Sequence, residues 1–113
     1  MKTKLDRYGL SILIKGMYSM KDCYSPETRS RIYDLLPWLI DIFDNMDPDH
    51  KAKIVFDGTE HRIVLHCLID WRNQFLKEGE HSTADSVGEL FIKQTSYSLS
   101  EPYKDILGLT LTR

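Results

Sequence analysis

From Ser25 to Met46 the chain reads SPETRSRIYDLLPWLIDIFDNM, and its apolar positions Ile32, Leu35, Leu36, Leu39, Ile40, Phe43 and Met46 recur on i, i+3, i+4, i+7 rows. That period gathers them on one face and predicts an amphipathic helix with Asp34, Asp41 and Asp44 toward solvent. Ser25 supplies an N-cap oxygen, and Pro26 fits the first helical position, where no N–H is needed. Pro37 crowds the Tyr33 carbonyl and donates no backbone hydrogen bond, so a bend is expected near residues 33–37. Because the apolar rows keep their phase across it, the pattern predicts one kinked helix, not two. Trp38 and Ile42 widen the apolar arc beyond what one neighbouring helix can cover.

A second long helix is predicted from Thr59 to Gly79, opened by a capping box of Asp57 and Glu60 and stopped by the glycine. Ile63, Val64, Cys67, Leu68, Trp71 and Phe75 form its broad apolar face, and Leu65, Ile69 and Leu76 a second stripe. Arg62, His66, Asp70, Asn73 and Lys77 occupy a narrow polar strip. A helix apolar on two sides invites a second copy of the chain, which makes Leu65, Ile69 and Leu76 the candidate homo-oligomer interface.

The remaining segments are shorter. Ile54, Val55 and Phe56 suit a short extended run in a connector. After the polar stretch GEHST, residues 84–94 read as a shorter helix, with Ser86 and Glu89 as a possible capping box, and SLSEPYKDILG suggests a helical turn or two ending at Gly108. Near the start, Leu10, Ile12 and Ile14 alternate as in a strand between Gly9 and Gly16, while Leu5, Tyr8, Ile12 and Met17 fit a helix, the reading preferred here. The fold class expected is mainly α: a single domain over residues 1–113, built as a small bundle of two long amphipathic helices with shorter terminal helices. Should residues 9–16 be a strand paired with 54–56, the class becomes α+β with a minor hairpin.

Bulk properties are consistent with a folded chain. With 113 residues, 42% hydrophobic and 28% charged, it can bury roughly two-thirds of its unfolded surface. No apolar run approaches the roughly 18 to 20 residues of a membrane span, and Cys23 and Cys67 lack the spacing of a disulfide framework, so a cytoplasmic protein with two partly buried reduced thiols is expected. The net charge of −2 is unevenly spread. Up to Arg31, Lys2, Lys4, Arg7, Lys15, Lys21, Arg29 and Arg31 outweigh Asp6, Asp22 and Glu27 by four, so the remainder carries −6.

Candidate chemistry is sparse. His66 and Asp70 share a helix face at i, i+4, but without an HExxH or paired CxxC pattern they read as a local pair, and no metal or cofactor is expected. Asp41, Asp44, Asp47 and Asp49 lack the central glycine and closing glutamate of a calcium loop. No nucleophile elbow or phosphate-cradling glycine loop occurs, so no catalytic residue is named. For nucleic acid, Lys2, Lys4, Arg7 and Lys15 lie among Tyr8, Tyr18 and Tyr24, but the pI of about 6.0 gives no global attraction, and the connector between the two late helices reads as longer than that of a helix-turn-helix.

Residues 54–94, with a short apolar run, a capped helix carrying CLIDWR, the Gly79 stop and a second small helix, resemble in style short accessory proteins of bacteriophages and mobile elements. That resemblance implies a small inhibitor or adaptor docking on a host protein, and it carries over no functional residue. The expected function is therefore non-catalytic protein binding, with Tyr33, Trp38, Trp71, Arg72 and Tyr103 as candidate interface residues because Trp, Tyr and Arg dominate binding hot spots. For both tryptophans a place in the core is the favoured reading, and of the five Arg72 is the one most expected to be exposed. Binding of nucleic acid through the basic N-terminal third is the alternative.

Overall fold

The computed structural model describes residues 2–96. Among these, the order is β1 (Lys2–Leu5), α1 (Arg7–Met20), a single 3-10 turn (Lys21–Cys23), α2 (Pro26–Asp44), β2 (Ala52–Val55), α3 (Gly58–Lys77) and α4 (His81–Ser96). The protein is mainly α, with one small antiparallel sheet in which Lys2 faces Val55 and Lys4 faces Lys53. The expected C-terminal turn at 98–108 and Tyr103 lie outside the described residues.

Residues 9–16 are helical: Leu10, Leu13 and Met17 are fully buried, and Asp6 caps α1 by accepting the Gly9 N–H at 2.7 Å. The strand that pairs with β2 lies just upstream, where Thr3 and Leu5 turn inward and Lys2 and Lys4 outward. α2 starts as expected, with the Thr28 N–H on Ser25 Oγ at 3.3 Å, and runs through Pro37 without a break. It ends at Asp44, two residues before Met46. Both bonds of the Asp57–Glu60 capping box are present at 2.7 and 2.8 Å, and Gly79 adopts φ of 78°, the left-handed stop that glycine supplies without strain.

The helices stack in the order α2, α1, α3, α4, since α1 packs on both α2 and α3, α3 packs most extensively on α4, and α2 barely touches α3. Leu10, Leu13, Ile32, Leu39, Val64, Leu68 and Phe91 meet in the core, closed beneath the sheet by Leu5, Ile54 and Phe56.

Three expectations are corrected here. GEHST is not a connector: His81, Ser82 and Thr83 form the first turn of α4, and the Ser86 hydroxyl donates to the Ser82 carbonyl within the helix, so no second cap lies there. Only Glu78, Gly79 and Glu80 join α3 to α4, short enough for a helix-turn-helix. The pair is nonetheless an antiparallel αα-hairpin, because His61 lies beside Gln94 at one end and Arg72 beside Gly88 toward the other. Finally, the stripe expected to meet a second copy is covered from within: Leu65 and Ile69 are buried in the cluster that includes Val87, Leu90 and Phe91 of α4, and Leu76 is half-buried.

No described helix is long and apolar enough to cross a membrane, and no described group of His, Cys, Asp and Glu could hold a metal ion.

Candidate functional site

α2 packs chiefly on α1, and its opposite face is open. Ile32, Leu35, Leu36 and Leu39 point into the core, which turns Tyr33, Pro37 and Ile40, at i, i+4 and i+7, outward as a line of apolar side chains. Tyr33 is 52% exposed and Ile40 43%. The exposure of Ile40 corrects its assignment to the buried face: it sits at the edge of the apolar arc, beyond the reach of α1. Pro37 leaves the Tyr33 carbonyl without its usual helical donor. Trp38, 39% exposed, lies about 100° around the helix from Pro37, across the row of Asp34 and Asp41, with its ring edge-on to Phe56 at 5.9 Å and 87°, which fixes the indole without covering it. Asp34, Asp41 and Asp44 are exposed around the patch, as their phase on the helix predicts.

The other candidate interface residues lie elsewhere. Trp71 is half-buried on α3, tilted against Phe75 with ring centres 5.0 Å apart and pressed against Gly16 of α1. Arg72 is half-buried rather than the most exposed of the group, because its side chain lies across Gly88 of α4. Two of the five, Tyr33 and Trp38, are therefore exposed on α2, on either side of the row of Asp34 and Asp41, and Pro37 and Ile40 extend the Tyr33 side. Their helical spacing from Tyr33 was the signal for them in the sequence.

The basic N-terminal third divides into three. Arg7 donates to the Phe43 and Met46 carbonyls at 3.3 and 3.2 Å and lies 4.3 Å from the Phe43 ring centre, closing the C-terminal end of α2. It is a structural group, not a free phosphate contact. Lys15 stays on the exposed side of α1. Lys2 and Lys4 join Lys51 and Lys53, which alternation places on the same outer face of the sheet, and none of the four forms an ion pair among the described residues.

Asp70 is not paired locally with His66. Its carboxylate accepts the Tyr24 hydroxyl at 2.6 Å, tying the entry to α2 onto α3. Burial, that bond and the neighbouring Cys67 push the Tyr24 hydroxyl far up from its ordinary range, and burial pushes the Cys67 thiol up to about 12. Cys67 is buried, as a small hydrophobe would be, but Cys23 is exposed in the 3-10 turn, where the expectation had it partly buried.

Comparison with protein-family models, with curated proteins and with solved structures finds no match to this chain.

Proposed function

We propose that this is a non-catalytic binding protein that docks on a protein partner through the outer face of α2. The observation that supports this is the solvent-facing line of Tyr33, Pro37 and Ile40, with a fixed, exposed Trp38 on the same helix across the row of Asp34 and Asp41. Aromatic side chains held in one rotamer lose little entropy on binding and bury large areas, so they form the anchors of interfaces. The aspartates around them select the partner's sign: a shallow apolar depression bordered by Lys or Arg fits, and an acidic surface is repelled. A partner whose functional groove is covered in this way would be inhibited, with no chemistry supplied by this chain. The test is affinity capture with the wild-type protein and with Ile40→Glu, whose side chain is outside the core. A protein retained by the first and lost from the second, with both melting alike, supports the reading; equal retention or none rejects it.

A second reading has its own observation. Lys4 and Lys53 face one another directly across the sheet, a like-charge pair that costs stability unless an anion is shared between them. With Lys2, Lys51 and the exposed Tyr8 nearby, this face suits the backbone of a nucleic acid. A mobility shift that weakens steeply with salt and is lost in Lys4→Glu would favour it over protein docking.

A further inference from the structure

Because α1 separates α2 from α3, the first halves of these two helices enclose a cleft of about 470 Å³. Thr28 and Arg31 line it from α2, with Tyr24 just ahead of that helix, and Thr59, Arg62 and His66 line it from α3. Thr59, Arg62 and His66 follow the i, i+3, i+7 spacing of one face of α3, and Thr28 and Arg31 the i, i+3 spacing of one face of α2, so two polar rows look at each other where apolar rows would have packed shut. Ile63 adds an apolar wall, and Glu27 is the one carboxylate of the lining.

The donors are available. Neither Arg31 nor Arg62 forms an ion pair among the described residues, although Arg29 nearby is 3.7 Å from Asp22. The Ser25 hydroxyl donates to Thr28 Oγ1 at 3.3 Å, which leaves the Thr28 proton to point elsewhere. Tyr24 is held against α3 by its bond to Asp70, so its ring is a fixed wall of the cleft.

We propose that this cleft binds a phosphate monoester, with Arg31 and Arg62 holding the phosphoryl oxygens from opposite sides. A guanidinium fork matches phosphate geometry and keeps its charge at any physiological pH. A planar carboxylate is satisfied by one such fork. A tetrahedral dianion presents oxygens in several directions, which suits two forks and the Thr28 and Thr59 hydroxyls arriving from two helices. Tyr24 and Ile63 then cover the organic group of the ester. This site is separate from the outer face of α2, and its fate does not depend on the docking proposal.

The experiment is an amide-resolved NMR titration of the full chain at constant ionic strength with inorganic phosphate, phenyl phosphate and benzoate. Phenyl phosphate is expected to give saturable shifts at Thr28, Arg31, Thr59, Arg62 and His66, with benzoate about tenfold weaker or more. Arg31→Gln and Arg62→Gln, at exposed positions that leave the fold intact, are each expected to weaken phenyl phosphate about tenfold. A phosphotyrosine peptide binding more tightly than phenyl phosphate assigns a protein-borne phosphate, and equal affinity assigns a small ester; either supports the site. Shifts that fail to saturate, that benzoate reproduces, or that persist unchanged in both variants overturn it.

Discussion

A Cβ at Gly16 would stand 2.8 Å from Cε3 of Trp71, closer than non-bonded carbons tolerate. The indole packs at a tilt against Phe75 and cannot swing clear cheaply, so Gly16→Ala must push α1 away from α3. Alanine favours a helix by up to about 1 kcal/mol, but overpacking costs about 1 to 3 kcal/mol and decides the sign. Gly58→Ala meets nothing within 4 Å and has no positive φ to lose. It should stabilise by about 0.4 to 1 kcal/mol through the unfolded chain. Urea midpoints moving in opposite directions for the two alanines would bear this out. Titration is a second residue-scale effect. Burial holds His61 below its ordinary pKa, against a weaker opposing contribution from the Gln94 backbone, so the unfolded chain binds the proton first. Its contribution is complete above about 6.5 and is lost as the pH falls toward the folded value. Cys67, at about 12, and Tyr24 behave in the opposite way: the unfolded chain ionises first, so stability declines as pH rises past about 9. Denaturant unfolding from pH 4 to 11 should trace a dome, and His61→Gln should flatten its acid limb alone.

Among the elements, α2 is held at its ends by groups of different visibility. Ser25 and Pro26 are adjacent to the helix they open, and Asp57 and Glu60 are three apart, so local chemistry sufficed to place both starts. Asp57→Ala should cost about 1 kcal/mol in thermal or urea unfolding. Arg7 reaches the other end of α2 across 36 and 39 positions, a contact that no local pattern encodes. Removing it forfeits two hydrogen bonds to carbonyls and a cation over Phe43, so Arg7→Ala should cost about 1 to 3 kcal/mol, with Arg7→Lys in between. The sheet was half legible for the same reason. The apolar run at 54–56 suggested an extended stretch within a connector, but its partner is only four residues long at the start of the chain, and a polar residue, Thr3, at one of its two inward positions hides the alternation. Lys4 opposite Lys53 gives a check on both register and role. Lys53→Glu should stabilise the fold by about 0.2 to 1 kcal/mol in a urea melt, while reducing any retention on heparin or nucleic acid.

At the scale of the molecule, the order α2, α1, α3, α4 determines which greasy surfaces remain open. The helix with two apolar stripes, α3, is flanked on both, by α1 and α4, and the stripe of Leu65 and Ile69 that promised a second copy is spent within the chain. The sequence showed that stripe and a helix over residues 84–94, but not that Val87, Leu90 and Phe91 of that helix lie on the stripe, since the period of each helix does not say which other helix it meets. The exposed surplus falls instead on α2, which packs chiefly on α1 and barely touches α3. Its aspartates argue against self-association there: a two-fold interface would bring Asp34, Asp41 and Asp44 of one copy against the same carboxylates of the other. Sedimentation equilibrium should therefore show a monomer at neutral pH and moderate salt. Ile40→Glu should change unfolding free energy by less than about 0.5 kcal/mol, as surface substitutions do, whereas the neighbouring Leu39→Ala should cost about 2 to 5 kcal/mol. A dimer that dissociates in Ile40→Glu would show that a second copy occupies this face despite its charge, and the docking proposal would have to give way.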